Sequence, residues 1–135
     1  MEKKFLKKII AQSSEDLQII SACCSEAKIK LRDIKYLSSN KIFLLSLSRF
    51  HKEGDDNNQL INSIIKFEYI ESSKSKNIDQ NQHDLILELL AINIFRKNGY
   101  FEITLLFSKN RIITLTAEII EVTLEDQKIL NVKNN

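Results

Sequence analysis

Across residues 28–117 apolar side chains return at alternate positions in one segment after another, and a strand is the structure that puts alternate residues on one face. Ile65, Phe67 and Tyr69 alternate with Lys66 and Glu68. Leu85, Leu87 and Leu89 begin a longer run that ends near Phe95. Phe101, Ile103, Leu105 and Phe107 form the next, and Ile113, Leu115 and Ala117 the last. Lys97-Asn98-Gly99 and Ser108-Lys109-Asn110 between them have hairpin length, so these three segments read as an antiparallel meander.

The earlier part of this stretch is less regular. Ile29 and Leu31 sit on one parity and Ile34 and Tyr36 on the other, a slip that predicts a bulge at Arg32-Asp33. Ser38 to Lys41 is a polar turn. Ile42 to Phe50 follows, apolar on both parities as far as Ser46, which is the pattern of a central strand. His51 to Gln59, with Gly54, Asp55, Asp56, Asn57 and Asn58, and Ser72 to Gln82 are polar enough to read as exposed loops.

Helical signals flank the strands. Ser13 and Ser14 before Glu15 and Asp16 offer a capping hydroxyl and acids at the positive end of a helix dipole. A helix is expected from there to about Glu26, with Leu17, Ile20, Cys24 and Ala27 as its inward stripe. Phe5 to Ile10 could precede it as a short edge strand. From Ala117 to about Lys128 two readings compete: Ile120, Val122 and Leu124 suit a strand, whereas Ile120 and Leu124 with Glu118, Glu121 and Glu125 suit a helix. The helix is taken here, with 129–135 as a loose tail. The fold expected is therefore α+β: an antiparallel, partly closed β-barrel or sandwich of about six to seven strands between an N-terminal and a C-terminal helix, resembling a pleckstrin-homology barrel by analogy.

Composition sets the class. At 135 residues and 43% hydrophobic content the chain has material for one core, so residues 1–135 are read as a single domain. No apolar run approaches the roughly 20 residues of a membrane helix, and the start lacks a signal-peptide core, which points to the cytoplasm and away from membranes. The net charge is +2, of which Lys3, Lys4, Lys7 and Lys8 against Glu2 supply +3 within a basic segment, residues 1–8. The remainder is near neutral, so nucleic acid is a disfavoured partner.

Candidates for chemistry are few. Cys23 and Cys24 are adjacent, and neighbours on a helix diverge by about 100°, which suits neither a disulfide framework nor a zinc site with the two histidines. His51 and His83 each lie beside acids and could serve as bases, but solvated loop histidines are the simpler reading. Glycines at 54 and 99 alone build no phosphate loop and no dinucleotide fingerprint. Lys74-Ser75-Lys76 could hold an anion. Arg49 shares the parity of Phe43, Leu45 and Leu47, so it points inward at the end of a central strand and needs a partner, for which Asp33 at the predicted bulge is the candidate. A structural ion pair is favoured there over an anion site. No cofactor and no metal are expected.

Several blocks, SSEDLQIISA at 13–22, IKLRDIKYLSSNKIFLLSLSRF at 29–50, SKSKNID at 73–79, LLAINIF at 89–95 and ITLTAEIIEVTLED at 113–126, together resemble an alphaproteobacterial family catalogued as domain of unknown function family 2948. The family usually shows Trp-Leu-Pro where this chain has Tyr36-Leu37-Ser38, and a tryptophan near His51. The resemblance implies no activity, cofactor or catalytic residue, and it favours a terminal helix over Glu118 to Asp126. The function expected is a small non-enzymatic binding or adaptor module. The alternative is a metabolite sensor or unrecognised enzyme with a rim pocket at Arg49, Asp33 or His51. The corresponding partners are a protein or a small anionic ligand.

Overall fold

A computed structural model describes residues 6–50 and 59–130. It contains one α-helix, α1 (Ser14–Cys23), and ten strands among those residues: β1 (Lys8–Ala11), β2 (Lys28–Lys30), β3 (Ile34–Leu37), β4 (Ile42–Phe50), β5 (Leu60–Phe67), β6 (Ile70–Lys76), β7 (Ile86–Lys97), β8 (Tyr100–Phe107), β9 (Arg111–Ala117) and β10 (Val122–Leu130). All pairings are antiparallel, in the order β1-β10-β5-β4-β2-β7-β8-β9-β6, with β3 also on β4. The expected α+β class with a partly closed barrel of six or seven strands is thus corrected to a ten-stranded open sheet with a single helix. Its two end strands, β1 and β6, do not pair with each other.

The second correction is the C-terminal helix, whose place is taken by β10. The charge pattern that suited a helix also suits a half-buried strand, and long-range pairing decides between them. Val122 and Leu124 lie opposite Phe67 and Ile65 of β5 and are fully buried, while Thr123 and Glu125 turn outward. A helix over the same residues would leave the β5 edge unpaired and bury no more apolar area. Ile129 and Leu130, placed in the expected tail, extend this strand.

Two further segments differ in detail. Residues 72–76, the start of the expected second loop, belong to β6, a polar strand at the sheet edge against β9. The parity slip near Arg32-Asp33 is a 3-10 turn (Leu31–Asp33) and not a bulge. It divides one passage along β4 into two pieces, so that β2 meets β4 at Ser48 while β3 runs beside Ile42 to Leu45.

Inward side chains from both halves of the curled sheet meet in one cluster: Phe43, Leu45 and Leu47 of β4, Ile65 and Phe67 of β5, Ile103, Leu105 and Phe107 of β8, and Leu115 and Ala117 of β9. Helix α1 covers part of this core. Ser13 caps it by accepting from the Asp16 N–H at 3.2 Å, and Leu17, Ile20 and the cap residue Cys24 are buried as the stripe requires. Ala27, beyond the helix, is buried too.

Near the split between β3 and β6 an exposed ion pair joins the turn before β4 to the sheet edge, with Lys41 Nζ donating to Glu71 Oε2 at 2.8 Å. This hydrogen bond and charge hold the Glu71 carboxyl below its usual range, and the same bond raises Lys41. Because the carboxyl's folded pKa is lowered and the ammonium's raised, the pair stabilises across the neutral range. Its contribution is lost as pH falls through the lowered Glu71 value, and again as pH rises through the raised Lys41 value. Thermal melts of wild type and Glu71→Gln should therefore differ slightly at pH 7 and converge in acid; a constant offset at all pH would show the pair to be irrelevant.

Candidate functional site

Arg49 is the last inward residue of β4, and its side chain is wholly buried. Its guanidinium meets Asp126 of β10 side-on: Nη2 donates to Oδ2 at 3.0 Å and to Oδ1 at 3.1 Å, and Nε lies 3.3 Å from both Oδ1 and the Ser63 hydroxyl. Ser63 of β5 donates to the same Oδ1 at 2.7 Å, and the Lys7 backbone N–H donates to Oδ2 at 3.0 Å. Lys7 O in turn accepts from the Asp126 N–H at 3.0 Å. One carboxylate therefore ties three neighbouring strands and the chain leading into β1. Arg49 Nη1 is buried without a hydrogen-bond partner among the described residues. The pairing in β10 shifts register just after Asp126 and then resumes from Lys128 to Leu130.

The other residues singled out in the sequence do not join this cluster. Asp33 is exposed in its 3-10 turn, beside a shallow pocket shared with Lys28, Lys30, Ser46, Ser48 and Asn62, so Asp126 holds the position expected of it. Lys74 and Lys76 are exposed on β6. His51 lies outside the described residues. Cys24 is buried and Cys23 half-buried, and neither is bridged in a disulfide. No group of three or more potential metal ligands occurs among the described residues.

Sequence reasoning missed Asp126 and Ser63, yet both carried a signal. Ile61, Ser63, Ile65 and Phe67 share one parity, as do Val122, Leu124 and Asp126. A polar residue on the inward parity of each of three strands, ending it at Arg49 and Asp126 and interrupting it at Ser63, is what a buried network looks like before the strands are assembled.

A second feature depends on unequal strand lengths. β7 has 12 residues and β2 has three, so β2 pairs with Ile86 to Glu88 and leaves the distal part of β7 without a strand on that side. Lys97 and Tyr100 close the β7-β8 hairpin around Asn98-Gly99, where Gly99 supplies the positive φ of 81°. In this ladder the N–H and C=O groups of Lys97, Phe95 and Asn93 face β8, so those of Ile92, Ile94 and Arg96 face away. The Ser21 hydroxyl of α1 accepts from the Ile92 N–H at 2.9 Å, which confirms the direction. Ile94 and Arg96 have no partner on that side among the described residues. Between this edge and α1 runs a groove of about 240 Å³ lined by Ser14, Leu17, Gln18 and residues 92–95.

The model of a family described as "Protein of unknown function (DUF2948)" matches residues 7–132. The chain belongs to this family. No curated protein and no solved structure matches it. The match spans α1 and all ten strands, so the family pattern covers the Arg49 cluster and the β7 edge alike. At Tyr36, where the resemblance sets a tryptophan, the ring packs 6.4 Å from Phe43 and the hydroxyl donates to the Ile70 carbonyl at 2.9 Å. Here the aromatic residue braces β3 against the start of β6, so this chain fills that position with a structural contact.

Proposed function

We propose that this chain is a non-enzymatic adaptor whose contact surface for a protein partner is β7. The observation that carries the reading is the exposure of large apolar side chains along that strand: Ile86 at 54%, Leu90 at 47% and Phe95 at 51%. Isolated apolar residues on a surface are ordinary, but no other described strand exposes three large ones, and Phe95 also lines the groove beside α1, which makes β7 the surface a partner would cover. The pairing of Arg49 with Asp126 counts against the rim-pocket sensor, because the guanidinium face that would grip an anion already holds a carboxylate.

The test is affinity capture from the lysate of its own cell with wild type and with Leu90→Asp and Phe95→Asp. Both side chains are about half exposed, so each change should cost about 1 kcal/mol and leave the chain folded, which a thermal melt of each variant checks. A stoichiometric partner held by wild type and lost by the variants is expected. Empty captures, or equal retention by all three proteins, would remove the proposal.

A further inference from the structure

The proposed role of β7 as a contact surface leaves open what chemistry the partner brings. Ile94 and Arg96 each present an N–H and a C=O along one free edge, at the repeat of a β-ladder. Such a row is satisfied by another extended backbone, and sheet edges left open are sites for strand addition. The flanking groove, at about 240 Å³, is smaller than the roughly 300–1,000 Å³ of a site for a drug-sized molecule, and it is lined by Leu17, Ile92 and Ile94 with polar Ser14 and Gln18 at its rim. It suits one apolar side chain projecting from such a strand. Helix α1 lines the groove and takes the Ile92 N–H through Ser21, so the open stretch of edge is short, from Ile94 to Arg96, a length that a short extended segment satisfies and a long strand of a second folded copy does not match. Arg96 supplies a charge preference. Its guanidinium carbon lies 6.0 Å from the Phe101 ring centroid, it is exposed, and it makes no ion pair among the described residues, whereas neighbouring Lys97 is paired with Glu102 at 3.7 Å.

We infer that the free edge of β7 takes an extended peptide segment of the partner as an added strand, with an apolar side chain in the α1–β7 groove and a carboxylate against Arg96. This rests on the adaptor reading and specifies how the partner is held.

The experiment selects phage-displayed random octapeptides on the full chain, then titrates the tightest one by calorimetry and maps it by amide hydrogen exchange. Selected peptides should combine an apolar with an acidic residue, and at saturation the Ile94 and Arg96 amides should slow. N-methylation of the peptide amides that face β7 should weaken binding about tenfold per site, and Arg96→Glu should weaken it by a similar factor. The inference falls if no peptide is selected, if the bound peptide slows other amides and leaves these two unchanged, or if N-methylation has no effect. It also falls if the two amides are already slowed in the free chain in step with protein concentration, which would make the edge a contact between two copies. A lysate partner lost by Leu90→Asp together with a failed peptide selection would overturn strand addition and leave the adaptor reading in place. Empty lysate captures remove the adaptor reading itself.

Discussion

Asp126→Leu should destabilise the fold by about 3–5 kcal/mol, a large part of the roughly 5–15 kcal/mol that holds a domain of this kind together. The cost comes less from losing an attraction than from what remains. Arg49 has no exposed side-chain surface, so removing Asp126 leaves a guanidinium without water or counter-ion, and it also strips the Ser63 hydroxyl and the Lys7 N–H of their acceptor. A buried pair and an apolar replacement of similar volume are often close in stability, which gives a sharp second expectation. The triple change Arg49→Met, Ser63→Ala, Asp126→Leu should recover most or all of the loss, because no uncompensated polar group is left inside. Urea titration of the three proteins measures this through the midpoint at constant slope. Asp84→Asn, which removes the exposed partner of Arg32, should shift the midpoint by no more than about 0.5 kcal/mol. If Asp126→Leu behaves like Asp84→Asn, the cluster is not closed to water as described.

The same three residues show what could be read before assembly. Arg49 was legible as an inward cation because it continues the parity of Phe43, Leu45 and Leu47, and that inference needs nothing beyond one strand. Its partner was not legible, because Asp126 lies 77 residues away in a segment whose glutamates fit a helical repeat as well as an alternating one. The choice between these repeats was made by Ile65 and Phe67 across the β5-β10 ladder, which is tertiary context overriding local pattern. β6 failed to register for a different reason. An edge strand with Ser72, Ser73, Lys74, Ser75 and Lys76 has almost no apolar period to detect, and such polarity protects an edge from unwanted pairing. The helix start, by contrast, is carried by Ser13 and its following acids within a single turn, so it was visible. The open edge of β7 follows from a difference in strand lengths, and strand ends are where sequence patterns carry least information.

Phe67→Ala should cost about 3–5 kcal/mol, the range for deleting a large aromatic side chain from a packed interior. Phe67 has 0% exposure, lies between Phe43 of β4 and Val122 of β10 in the ladder, and meets the Phe43 ring edge-on at 5.9 Å between centroids. It also ends β5, two residues before Tyr69 turns the chain at φ 61° into β6, so it packs where the two halves of the sheet are joined in sequence. Neighbours fixed by ladders on both sides cannot collapse fully into the space left, and the cavity term adds to the lost transfer energy. Phe50→Ala is the control: that ring is 44% exposed, and its loss should cost well under half as much, about 1 kcal/mol or less. Calorimetric melts of the two variants measure the difference. The strand proposed to receive a partner lies in the other half, paired to β8, with no ladder to β4, β5 or β10. Well below its melting temperature Phe67→Ala should therefore bind the selected peptide within about twofold of wild type, since the backbone of Ile94 and Arg96 is held by its ladder to β8 and not by β5. A variant that stays folded and loses the peptide would instead show that the β7 edge is held in shape by the core across the sheet.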